Sequence, residues 1–63
     1  MLEQTMLTEQ FQALLGRERQ ALQTYSDLLA KVADPKMRQQ LDRLLRDKQR
    51  HVRMAERLLE IVQ

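Results

Sequence analysis

The stretch Lys31-Val32-Ala33-Asp34-Pro35-Lys36-Met37-Arg38 holds the chain's one proline and lies near its midpoint. Asp is a favoured N-cap, and Pro is favoured at the first helical position, where its missing N–H costs nothing and its φ is already helical. Asp34-Pro35 therefore opens a helix, expected over about 35–62. Upstream, from about 2 to 32, there is no proline and a single glycine, Gly16, which lies on the outer face. Leu, Gln, Arg, Glu, Ala and Met, the good helix formers, dominate both halves. The expected chain is two helices of about 28–30 residues joined by a turn at 33–34, each roughly 42–45 Å long.

Apolar spacing decides how the helices meet. Leu7, Phe11, Leu14, Glu18, Ala21, Tyr25, Leu28 and Val32 follow at alternating steps of four and three. Met37, Leu41, Leu44, Lys48, His51, Ala55, Leu58 and Val62 do the same in the second half. A flanking row adds Leu15, Leu22 and Leu29 to one helix, with Leu45, Val52 and Leu59 on the other. A stripe this wide belongs to a helix packed inside a bundle rather than to a two-stranded zipper. Folding at Asp34 sets Val32 beside Met37, Tyr25 beside Leu44, Glu18 beside His51 and Phe11 beside Leu58. The expected fold is all-α, an antiparallel two-helix hairpin forming one domain over 1–63. Half of each stripe would still face water, so two hairpins are expected to close into a twofold four-helix bundle.

Composition excludes several classes. With 63 residues the chain buries only about 60% of its unfolded surface, so self-association is the expected aid to stability. There is no cysteine, which removes disulfides, thiolate zinc sites and thiol catalysis. No apolar run approaches the roughly 20 residues of a membrane span, and the start does not read as a secretory signal. A cytoplasmic location is expected, free in the cytosol or inside a cytosolic protein compartment. Net charge is +2 but uneven: residues 1–34 carry three basic and five acidic side chains, residues 35–63 eight and four.

Three positions of the sixteen in the two stripes carry Glu, Lys or His: Glu18, Lys48 and His51. All three fall at mid-bundle, where ionisable groups are costly unless paired, hydrogen-bonded or metal-bound. Glu18, Tyr25 seven residues later, and His51 on the second helix form a pattern that resembles the ferritin-like carboxylate proteins. The nearest type is the half-size encapsulated ferritin, related to rubrerythrin, whose two-helix chain dimerises around a di-iron site. Leu28, Leu29, Asp34, Pro35, Arg38 and Leu41 around the turn fit the same pattern. The resemblance implies Glu18 and His51 as metal ligands and Tyr25 as a phenol beside them. It also locates the departure: Lys48 stands where the bridging Glu of Glu-x-x-His would be. Asp47 is adjacent but would have to bend inward.

In a dimer two Glu18 carboxylates and two Lys48 ammoniums cancel, whereas a complete site balances two cations with four carboxylates. A protonated ammonium neither ligates nor tolerates a nearby cation. Two expectations follow. One is a metal-free, salt-bridged layer with Lys48 in place of the metal. The other is weak binding of a divalent metal, iron or zinc, through Glu18 and His51 of two chains. Loss of the bridging Glu argues against ferroxidase chemistry, the one enzymatic route these residues suggest. No catalytic residue is assigned, and a structural or binding role is expected.

A competing surface lies on the second helix, where Lys36, Arg43, Arg46, Arg50, Arg53 and Arg57 form an outer stripe. It offers phosphate or an acidic protein surface a line of cations. No aromatic residue interleaves it, so nucleic acid is not the expected partner. Asp42, Asp47, Glu56 and Glu60 stand three or four residues from the arginines and are expected to pair with them. The expected partners are further copies of the chain, with the arginine stripe read as a solvated face; the alternative is a hairpin dimer that binds RNA or an acidic protein through Arg43, Arg46, Arg50, Arg53 and Arg57.

Overall fold

A computed structural model describes residues 2–63; Met1, included in the expected domain, lies outside them. Two helices account for nearly all of it: α1 over Leu2–Lys31 and α2 over Pro35–Val62. They form a rod with principal extents of 51 × 14 × 11 Å. No strand occurs among the described residues.

The turn is built as the Asp-Pro pair dictates. Asp34 is extended (φ −64°, ψ 124°), and its carboxylate accepts a 2.9 Å hydrogen bond from the Met37 N–H. Pro35 occupies the first turn of α2, and the Arg38 N–H donates to the Asp34 carbonyl at 2.9 Å. The last carbonyls of a helix have no partner within it. Arg38 supplies one from across the turn, its Nη1 donating to the Leu29 carbonyl at 2.7 Å and the Val32 carbonyl at 2.8 Å. At the open end, Gln4 Nε2 donates to the Val62 carbonyl at 2.6 Å. Contacts at both ends fix the antiparallel register. Asp34→Ala should lower stability by about 1 kcal/mol, the usual worth of an N-cap. Thermal unfolding followed by circular dichroism should show a loss of roughly 4–8 °C.

Among the described residues only Leu15, Val52 and Ala55 are buried, with Leu14, Leu22 and Leu59 packed against them. The seam therefore runs through the row expected to flank the stripe. The small Ala55 side chain, 2% exposed, lies on this seam. Rotation toward this row turns Leu7, Leu28, Met37, Leu44 and Leu58 outward, and all five are exposed. The reverse side of the hairpin carries Gln12, Arg19, Ser26 and Gln49, exposed and polar. Gly16 has open space where a Cβ would stand, so no close approach explains it.

Candidate functional site

The ionisable residues of the stripe meet as expected. Glu18 projects from the middle of α1 toward Lys48 and His51, which are one helical turn apart on α2 and so share a side of it. Lys48 Nζ lies 3.2 Å from Glu18 Oε2, and His51 Nδ1 lies 3.5 Å from the same oxygen. The Lys48 stem spans the seam and brings its ammonium to the carboxylate. The Glu18 and Lys48 side chains are 18% and 25% exposed, so water screens the pair only partly.

Oε2 itself is shielded from water and accepts no hydrogen bond. Both contacts are thus electrostatic proximity without the direction of a hydrogen bond, and the oxygen retains unfilled acceptor capacity. His51 adds charge only when protonated, and its side chain is 48% exposed. It stands on the apolar side of the hairpin. Leu14, Glu18, His51, Met54, Ala55 and Leu58 line a shallow concavity there of about 160 Å³. Glu18 and His51 are the polar members of a lining otherwise made of Leu14, Met54, Ala55 and Leu58, so this side of the rod holds ionisable groups within an apolar field.

The other candidates are dispersed. Tyr25 is half-buried and lines a different hollow with Arg17, Gln20, Ala21 and Thr24. It lies seven residues, or roughly 10 Å, along α1 from Glu18. Asp47 does not bend inward: its Oδ1 takes Arg50 Nη2 at 2.9 Å on the outer side. Among the described residues no three or more His, Cys, Asp or Glu side chains form a group able to hold a metal. One chain brings together two such donors, Glu18 and His51, with the Lys48 ammonium on the oxygen that a metal would use. A di-metal centre does not fit this arrangement.

The arginine stripe is less neutralised than its spacing suggests. Arg46 pairs with Asp42 at 3.0 Å, and Arg50 with Asp47. Glu56 and Glu60, equally well spaced, form no ion pair, which leaves Arg43, Arg53 and Arg57 without an anionic partner among the described residues. Arg50, Arg53, Met54 and Arg57 enclose a hollow of about 310 Å³. Met54 borders both this hollow and the Glu18 concavity. Its signal in the sequence is position: on a helix, residue 54 falls between the apolar row of 51 and 58 and the basic row of 50 and 57.

No helix among the described residues is long and apolar enough to cross a membrane. No family model, curated protein or solved structure matches the chain.

Proposed function

We propose that the chain is a self-associating helical hairpin of ferritin-like form, two copies of which close into a four-helix bundle with a structural or binding role. The observation that carries this reading is the two-sidedness of the rod. One side presents Leu7, Leu28, Met37, Leu44 and Leu58 to water, while the other is polar. Three buried residues are a slender core for a chain of this length. A second copy is the occupant that the pattern favours. Both helices contribute apolar rows to one side, and the charged centre of that side is internally balanced, Glu18 against Lys48. Two such faces can therefore meet without a net charge between them. In the bundle the layer acts as an internal replacement for a metal, and a divalent ion binds at most weakly through Glu18 and His51 of both copies.

Sedimentation equilibrium tests the dimer, and elemental analysis tests the layer. Tag-free protein is incubated anaerobically with ferrous iron, or with zinc, then desalted. The expected result is a dimer that retains far less than one metal ion per two chains. Lys48→Glu, which supplies the missing carboxylate, should raise retention to about one ion per dimer or more, as paired carboxylate and imidazole ligands do. A monomer would remove the bundle from this reading. Equal retention by the parent and Lys48→Glu would remove the metal-site ancestry while leaving the bundle standing.

A further inference from the structure

On α2 the rows of the helix follow one another around its circumference. Leu44, His51 and Leu58 lie on the apolar side. Met54 and Ile61 come next, 54% and 78% exposed. Beyond them are Lys36, Arg43, Arg50 and Arg57, then Arg46 and Arg53. Exposed apolar side chains and guanidiniums thus share one continuous strip, in which Arg43, Arg53 and Arg57 have no anionic partner among the described residues while Arg46 and Arg50 pair with Asp42 and Asp47. Arg50, Arg53 and Arg57 converge with Met54 on a single hollow, where the thioether stem forms the apolar wall.

The chemistry of this strip selects its ligand. A guanidinium presents a planar fork of donors that matches a carboxylate two-point. Methionine is the side chain best able to adapt its shape to a foreign apolar surface. The two aromatic residues of the chain, Phe11 and Tyr25, are both on α1, so the strip offers a nucleic-acid base no stacking platform. From Arg43 to Arg57 the strip is about 21 Å long, the length of four helical turns. We propose that it docks an acidic amphipathic helical segment of a partner protein. The segment's carboxylates engage Arg50, Arg53 and Arg57, and its apolar residues, spaced three and four apart, settle on Met54 and Ile61. The strip adjoins the apolar face, Met54 bordering the Glu18 concavity as well, and the docking uses its outer edge, where Arg50, Arg53 and Arg57 stand.

The probe is a fluorescein-labelled helical peptide of about 18 residues, Leu at three-and-four spacing and Glu on the flanking positions. Its binding to the full chain is followed by anisotropy. A peptide with Gln for every Glu and a labelled single-stranded RNA of similar extended length are measured beside it. The Glu peptide should bind at low salt and weaken markedly as ionic strength approaches about 0.3 M, where screening shortens to a few ångströms. The Gln peptide should bind at least about tenfold more weakly, since removing even one charge-assisted hydrogen bond costs roughly that factor. Arg53→Ala with Arg57→Ala should reduce Glu-peptide affinity by a similar factor, and Arg53→Lys with Arg57→Lys should recover only part of it. Met54→Gln should weaken binding without altering its salt dependence. Equal affinity for the Glu and Gln peptides, or indifference to the double alanine change in a chain of unchanged helicity, would overturn the proposal. Tighter, arginine-dependent binding of the RNA would overturn it in favour of a nucleic-acid surface.

Discussion

For the proposed bundle, Leu44→Glu should convert dimer to monomer and remove much of the helix at low micromolar concentration. Leu44 lies on the apolar side of α2, where 41% of its surface faces water in the hairpin. A second copy covering that surface recovers part of the roughly 1.5–3 kcal/mol that complete burial of a leucine is worth. Glutamate forfeits this gain and adds the cost of a carboxylate in an apolar contact with no cation assigned to it. Twofold symmetry doubles each change. A loss of about 4 kcal/mol or more across the dimer is a shift of roughly a thousandfold in its association constant. For a parent that forms the proposed dimer, mass action should make the unfolding midpoint rise with protein concentration, each tenfold step adding about 1.4 kcal/mol to the dimer. Sedimentation velocity and thermal melts over a hundredfold concentration range, about two such steps, read both effects. Gln49→Glu, on the polar side, should change neither. A parent melt independent of concentration would contradict the dimer, as would a Leu44→Glu chain that sediments like the parent.

Asp34 and Pro35 made the turn legible because both act on the backbone directly, one by its carboxylate and one by its ring. Their effect does not wait for tertiary contacts. The register was equally legible: stripes measured outward from Asp34 bring Glu18 to Lys48 and His51, and the structure joins all three. The rotation of each helix about its axis was not. Three adjacent rows are apolar on both helices, and a repeat of seven fixes their order without fixing which row faces inward. Packing chose the row of Leu15, Leu22, Val52 and Leu59, with Ala55 at the seam, and turned the row of Leu28, Leu44 and Leu58 to the surface. Arg38 on the carbonyls of Leu29 and Val32 depends on the path of the turn in three dimensions, which spacing does not encode. Spacing also overstates ion pairing. Asp42 and Asp47 find their arginines, whereas Glu56 and Glu60 at comparable intervals do not, because partners on a surface helix have many rotamers and little to gain.

The central layer yields the sharpest energetic contrast. Lys48→Ala leaves Glu18 Oε2 shielded from water, without a hydrogen bond, and with only His51 Nδ1 at 3.5 Å. Removing one partner of a buried pair strands the other's charge, typically at 3–5 kcal/mol. Partial exposure of this pair reduces the expectation to about 1–3 kcal/mol, the cost of an unsatisfied buried polar group. For a domain of this size that corresponds to a midpoint lower by roughly 4–20 °C. Replacing both partners reverses the sign. Glu18→Leu with Lys48→Leu continues the apolar rows through the layer, and such exchanges are often neutral or stabilising by about 1–4 kcal/mol. The double variant should therefore melt at or above the parent, while Lys48→Ala melts well below it. His51→Ala, with half the imidazole already in water, should change the midpoint least of the three. What the double leucine variant should lose is uniqueness. A polar layer can hold two helical faces in one register because every slipped alignment leaves a charge unpaired. An apolar layer imposes no such penalty, so amide NMR spectra of the double variant should show more than one set of resonances where the parent shows one. A double variant as unstable as Lys48→Ala would mean that the pair is a net source of stability. A double variant that is both stable and single-state would deny the layer its role in fixing the register.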